Sequence, residues 1–267
     1  MSARAFRYRR PALAAIIAAI FTATAFSASG EIPLDQRRSA YADMSRDNKA
    51  MQDDDTSNPG MLWVLDGEAL WGAKAGKAKR ACADCHGDAR ASMKGVAARY
   101  PAFDATLGRP VNLEQRINLC RAQRQQASPL PYESKDILAL TAFIALQSRG
   151  QPIAPPDDKR LTPFRDAGRT QYSQRQGQLN LSCQQCHDDN WGKNLAGNTV
   201  PQGHPSGYPI YRLEWQTLGS LQRRLRNCLI GMRAEIYPFG AAEYVNMELY
   251  LMWRARGMKI ETPAVRP

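Results

Sequence analysis

Two pentapeptides, Cys82-Ala83-Asp84-Cys85-His86 and Cys183-Gln184-Gln185-Cys186-His187, constrain this chain more than any other feature. In Cys-x-x-Cys-His the two thiols are spaced to form thioethers with the vinyl groups of one haem, and the adjacent imidazole is placed to ligate its iron. A thioredoxin-like Cys-x-x-Cys needs no histidine and sits in a βαβ setting. A structural zinc would need both motifs to converge on one metal. Two copies in one chain therefore predict two covalently bound haem c groups. Cys82, Cys85, Cys183 and Cys186 are the expected anchors, and His86 and His187 the expected proximal ligands.

The motifs belong to an internal repeat. Gly67 and Gly168 each precede the first motif cysteine by fifteen residues, and Gly76 and Gly177 by six. Trp71 and Tyr172 match between those glycines. Downstream, Leu113-x-x-Arg116-x-x-x-Cys120 matches Leu221-x-x-Arg224-x-x-x-Cys228. Apolar helical patterns follow at 137–147 and 244–253, closed by Arg149-Gly150 and Arg256-Gly257. The expected fold is mainly α: two tandem cytochrome c-like domains related by duplication, at 59–150 and 161–267. A Pro-rich linker at 151–160 joins them. Strand signals are few, the best being Tyr208-Pro209-Ile210-Tyr211. The polar stretch 30–58 reads as an N-terminal extension wrapping either the first domain or a partner.

Residues 1–29 read as an export signal, with Arg4 to Arg10 before an apolar run from Ala12 to Phe26 and small residues after it. The run is short for a bilayer span of ~30 Å, although an uncleaved anchor is the competing reading. Export places the chain in the periplasm. The formal charge is +11, and four of those charges lie in the leader. The remaining basic excess suits an anionic substrate or acidic partner. Nucleic acid is not expected, because the basic residues are scattered and the compartment is wrong.

Each iron also needs a sixth ligand or an open position. Of the three histidines only His204 is spare. Met93, Met247, Met252 and Met258 occupy unmatched positions, whereas Cys120 and Cys228 match. They read either as axial thiolates, one per haem, or as a Cys120–Cys228 disulfide, which an oxidising compartment favours. Arg116 and Arg224, four residues earlier on the same helical face, would favour a thiolate. Either arginine could equally pair with a haem propionate.

At these residues the chain resembles the SoxA family, the dihaem A subunit of the periplasmic sulfur-oxidising cytochrome complex. The most specific stretch is Gly203-His204-Pro205-Ser206-Gly207-Tyr208-Pro209-Ile210-Tyr211-Arg212-Leu213-Glu214-Trp215, followed by Ser220-Leu221-Gln222-Arg223-Arg224 and Cys228. The resemblance implies L-cysteine S-thiosulfotransferase activity, with the monohaem subunit SoxX as partner in a heterodimer. Thiosulfate is coupled to a cysteine of the carrier SoxYZ, giving a cysteine S-thiosulfonate and two electrons for a cytochrome c acceptor. It further implies that Cys120 and Cys228 are axial ligands, that Cys228 is the catalytic residue carried as a persulfide, and that Arg224 binds substrate. His204 reads as a pocket residue or a structural one. The rival readings are a plain dihaem electron carrier and a dihaem peroxidase.

Overall fold

The computed structural model describes Met1 and residues 32–267, Ala196 excepted; the export signal expected over 1–29 otherwise lies outside the described residues. Among the described residues no helix is long and apolar enough to cross a membrane.

After α1 (Arg46–Asp53), the first repeat begins with α2 (Gly60–Gly72). The haem motif forms the short α3 (Ala83–His86), followed by α4 (Ala89–Ser92). A hairpin of β1 (Ala102–Asp104) and β2 (Arg109–Val111) leads into α5 (Leu113–Cys120), and α6 (Lys135–Leu146) closes the repeat. The second repeat follows the same order: α7 (Thr162–Ser173) and then α8 (Cys183–His187). A small insert of β3 (Asn194–Leu195) and β4 (Asn198–Thr199) comes next. The hairpin β5 (Ile210–Arg212) and β6 (Thr217–Gly219), α9 (Leu221–Gly231) and α10 (Ala242–Arg254) complete it. A last strand, β7 (Ala264–Arg266), lies parallel to β5.

Local chemistry sets the helix starts. Asn112 and Ser220, at matched positions, accept the amides of Gln115 and Arg223 and so cap α5 and α9. The glycine landmarks mark close helix approach. A Cβ on Gly67 would lie 2.1 Å from the Ala139 carbonyl, and one on Gly168 2.1 Å from that of Asn246. The pairs α2–α6 and α7–α10 are therefore seated backbone to backbone.

Two departures break the register of the repeat. The chain from His187 to Tyr208 is seven residues longer than that from His86 to Tyr100, and this holds the β3–β4 insert. In the other direction, α5 runs into a π-helical turn at Arg121–Gln125, whereas α9 stays regular. The wider turn absorbs the one extra residue after Cys120.

The hairpins are exchanged between repeats. Tyr211 and Leu218 of the second hairpin join the apolar core built by α2, α5 and α6. Trp63 meets Tyr211 with ring centroids 5.8 Å apart. Reciprocally, Phe103 of the first hairpin meets Phe164 of α7 at 6.4 Å, and β2 packs on α10. The described residues from 32 to 267 consequently form one compact unit. The 151–160 segment is pinned as well: Ile153 is buried, and its amide donates to the Met258 carbonyl at 2.8 Å.

The N-terminal extension lies on the second repeat and the C-terminal strand, a destination its sequence did not suggest. The Arg37 guanidinium donates to the Arg256 carbonyl at 2.6 Å and the Arg38 amide to Gln202 at 2.8 Å. Asn58, fully enclosed, donates to the Pro263 carbonyl at 2.9 Å.

Where α5, α9 and α10 meet, the interior holds two carboxyl groups, Glu114 and Glu248. Glu248 Oε1 accepts from Asn112 at 3.2 Å and from Gln222 at 2.6 Å. Tyr132 and Glu133 also face this cluster, and Glu133 is paired with Arg223 at 2.7 Å. Burial, then mutual repulsion, raises the pKa of Glu248, and burial, opposed by a backbone hydrogen bond, raises that of Glu114.

Two outcomes follow for stability. Gly168→Ala should cost about 1–3 kcal/mol or more by overpacking, read as an unfolding midpoint. Gly72→Ala, whose added methyl meets nothing within 4 Å, should not. The folded state binds protons at Glu114 and Glu248 that the unfolded chain releases near 4.5. Stability should therefore fall as pH rises from about 4.5 to about 8. Thermal unfolding of Glu248→Gln should show a shallower fall over that window.

Candidate functional site

Each repeat gathers its own expected haem residues. In the first, Cys82, Cys85, His86 and Cys120 line one cavity of about 400 Å³. Trp71, Leu113, Ile117, Leu140 and Ile144 supply apolar walls, and Arg80, Arg99, Arg116, Arg121 and Arg124 also line it. Apolar walls for a macrocycle, cations for its carboxylates, two thiols and donors of both axial types fit a covalently attached haem. Trp71 stands 5.7 Å from the His86 ring, centroid to centroid, and its Nε1–H donates to the Gly87 carbonyl at 3.0 Å.

In the second repeat Cys183 and Cys228 line a small cavity of about 20 Å³ together with Leu225, Met232, Tyr244 and Met247. The fit there rests on the donor set. His187 Nδ1 lies 2.6 Å from the Pro201 carbonyl, which requires the proton on Nδ1 and leaves the Nε2 lone pair for a metal. Burial, the largest influence, lowers the His187 pKa and keeps the ring neutral. The backbone of Gly203 presses on this imidazole: a Cβ there would lie 3.0 Å from Cγ.

The residue after each motif is held from the preceding helix. Trp71 bonds Gly87, and the matched Tyr172 donates to Asp188 at 3.0 Å. The second repeat adds Arg254, which pairs with Asp188, donates to the Gln202 carbonyl at 3.1 Å and stacks 4.7 Å over Tyr172. Residues 188 and 202, at the two ends of the inserted loop, are thereby tied to α10.

All six cysteines are unbridged. Cys120 faces the first motif and Cys228 the second, so the alternative Cys120–Cys228 disulfide is not formed. Burial pushes the Cys82 and Cys120 thiols up, the latter opposed by Arg116 and Arg124; it pushes Cys183 up to about 12. Such thiols stay protonated until a bond to carbon or a metal draws the proton off. Methionines also stand at the sites, Met93 at the first and Met232 and Met247 at the second. They come from different elements, so Cys120 and Cys228 are the matched sulfur pair outside the motifs.

The arginines preceding these cysteines differ. Arg116 is paired with Asp104 at 2.6 Å. Arg224, among the described residues, makes no side-chain hydrogen bond or ion pair, yet it lies within electrostatic reach of buried Tyr208, Arg212 and His187. Tyr208 and Arg212 in turn sense Cys228. His204 bonds Gln202 at 3.2 Å and is pushed down to about 3 by burial, so it stands as a neutral ring on the Arg254 side. Pro201, Asp188 and Arg254 carry no motif of their own. Their part is visible only once the inserted loop is folded.

Comparison with known proteins places this geometry. The SoxA/TsdA cytochrome c domain matches residues 66–153 and again 167–260. The L-cysteine S-thiosulfotransferase subunit SoxA of Pseudaminobacter salicylatoxidans is 37% identical over 88% of this chain and 82% of its own length. That of Rhodovulum sulfidophilum is 35% identical over 87% and 81%. A chain in the crystal structure of SoxXA from P. pantotrophus superposes with a TM-score of 0.83 at 30% identity, covering 86% of this chain and 87% of that one. Paired matches on both repeats and relatives spanning most of the length make this chain a member of the SoxA family of c-type cytochromes.

Proposed function

We propose that this chain is the dihaem subunit of an L-cysteine S-thiosulfotransferase, with the reaction centre in its second repeat. The observation that carries the reading is the juxtaposition of Cys228 with Arg224, one helical turn apart on α9, a half-buried guanidinium that no carboxylate neutralises among the described residues. An enzyme that brings an anion to a thiolate needs such a cation beside the sulfur.

Cys82, Cys85, His86 and Cys120 would hold one haem c, and Cys183, Cys186, His187 and Cys228 the other. Thiolate ligation keeps such a haem at low potential, and the chemistry it supplies when bound is one-electron transfer. The protein's own residues do the rest. His187, fixed through Pro201, would present Nε2. Arg224 would hold thiosulfate by its sulfonate oxygens against the repulsion of the Cys228 sulfur. An S–S bond then forms between Cys228 and the terminal sulfur of thiosulfate, and two electrons leave. A carrier cysteine thiolate attacks the same sulfane sulfur and displaces Cys228. The net reaction joins a thiolate and thiosulfate into one cysteine S-thiosulfonate with loss of two electrons.

The family relation supports a heterodimer with a SoxX-type monohaem subunit, since the superposed relative is a SoxXA complex. The carrier would be a SoxYZ-type protein and the final acceptor a cytochrome c. The basic leader and apolar run support export to the periplasm.

Cys228→Ala in the assembled complex should lower thiosulfate-dependent turnover by about three orders of magnitude or more. Wild-type turnover in that variant would overturn the assignment. Low-spin thiolate signals in electron paramagnetic resonance should come from both haems, one lost in Cys120→Ala and the other in Cys228→Ala. Where no carrier is present, water attacking the sulfonate sulfur of the Cys228–thiosulfate adduct releases sulfate and leaves a persulfide, so mass spectrometry of the Cys228 peptide should find an added sulfur atom.

A further inference from the structure

The two repeats differ in charge at one matched position beside the arginine–cysteine pair. Tyr100-Pro101 and Tyr208-Pro209 enter the two hairpins equivalently. Asp104 ends β1 opposite Arg109, and Arg212 ends β5 opposite Thr217, in the same register. Asp104 and Arg212 are thus the same residue of the repeat, inverted in sign.

In the first repeat this position neutralises the neighbouring guanidinium. Asp104 Oδ2 accepts from Arg116 at 2.6 Å, while its Oδ1 accepts the amides of Thr106 and Leu107, each at 2.9 Å. In the second repeat the carboxylate is gone and a second cation stands in its place. Arg212 is largely enclosed, its side chain 12% exposed. Three contacts fix it: Glu214 at 2.7 Å, the Pro267 carbonyl at 2.9 Å, and the Trp215 ring with its centroid 5.2 Å away. Arg212 lies within electrostatic reach of Arg224 and of Cys228, and Tyr208 lies within reach of all three. Half-buried like charges are unfavourable unless an anion joins them. Glu214, on the surface side, offsets Arg212 alone, and among the described residues no carboxylate pairs with Arg224.

We infer that Arg212 and Arg224 form a two-guanidinium receptor for a dianionic sulfur oxyanion, holding its oxygens so that its terminal sulfur meets Cys228. This rests on the proposed thiosulfotransferase reading and adds a second substrate-binding residue to it. The first repeat, where Asp104 occupies the same position, has no such receptor. Its Cys120 would therefore be a ligand only. Two guanidinium groups offer paired donors to several oxygens of one anion, so an anion with fewer oxygens should compete poorly.

The test uses the holo complex with its monohaem subunit. Thiosulfate is titrated against the low-spin signal of the second haem without carrier or acceptor, and turnover is measured separately for KM and kcat. Arg212→Asp recreates the ion pair of the first repeat and should raise both the thiosulfate dissociation constant and KM at least tenfold, leaving haem content and the unliganded spectrum unchanged. Arg212→Lys should fall between. If Arg212→Asp does not assemble, Arg212→Gln, which keeps hydrogen bonding without charge, should show the same loss. Wild-type KM and dissociation constant in either charge-removing variant would overturn the receptor. A wild-type complex with neither thiosulfate response nor turnover would instead overturn the proposed function.

Discussion

Each repeat buries its hairpin on the helices of the other, and much of the rest of the structure depends on that exchange. A lone repeat would leave apolar faces of its hairpin and helices in water, as units of a duplicated fold generally do. Tyr211 and Leu218 inside the first core, and Phe103 against Phe164, close both faces at once. The hairpins also end at Asn112 and Ser220, the caps of the two cysteine helices. Packing between repeats thereby fixes where α5 and α9 begin, and so where Cys120 and Cys228 stand relative to their motifs. Glu114 and Glu248 sit at that junction, their charge suppressed by burial.

On this shared frame the two sites have diverged through few changes. The first keeps a compensated arginine. The second encloses His187 beneath a loop lengthened by seven residues and tied down by Arg254. A longer loop supplies the Pro201 carbonyl that orients the imidazole and the Gly203 backbone that backs it. Where the first repeat neutralises Arg116, the second leaves Arg224 available. Duplication gave two equivalent frames; burial and charge balance distinguish what each can do.

Much of this was legible in the sequence because it is written locally. Cys-x-x-Cys-His fixes its chemistry within five residues, and the glycines at 67 and 168 announce close helix contacts wherever the partner lies. The matched Cys120 and Cys228 were found by register alone. What escaped the reading depends on residues far apart in the chain. The strand signal at Tyr208–Tyr211 located β5 but not its parallel partner β7, which comes from the far end of the sequence. The extension at 30–58 is polar and non-periodic, and only its hydrogen bonds to Gln202, Arg256 and Pro263 disclose where it lies. The Asp104–Arg212 inversion was present in the letters. Counting forward from the haem motifs does not pair them, because of the seven-residue insertion; counting back twelve residues from Arg116 and Arg224 does, but only the folded hairpin shows that the position faces the arginine.

That hidden inversion bears on how a duplicated cytochrome can acquire catalysis without new backbone. A thiolate beside a haem is already electron-rich, and a sulfur dianion approaching it meets strong repulsion that water cannot screen in a half-buried site. Removing one carboxylate frees Arg224, and replacing it by arginine changes the local balance by two charges at a single position. The hairpin need not move for this, because Glu214, Trp215 and the Pro267 carbonyl hold the new guanidinium in the old strand register. The first repeat shows the same frame with Arg116 paired to Asp104, so on the proposed reading the difference between the two sites is electrostatic before it is architectural.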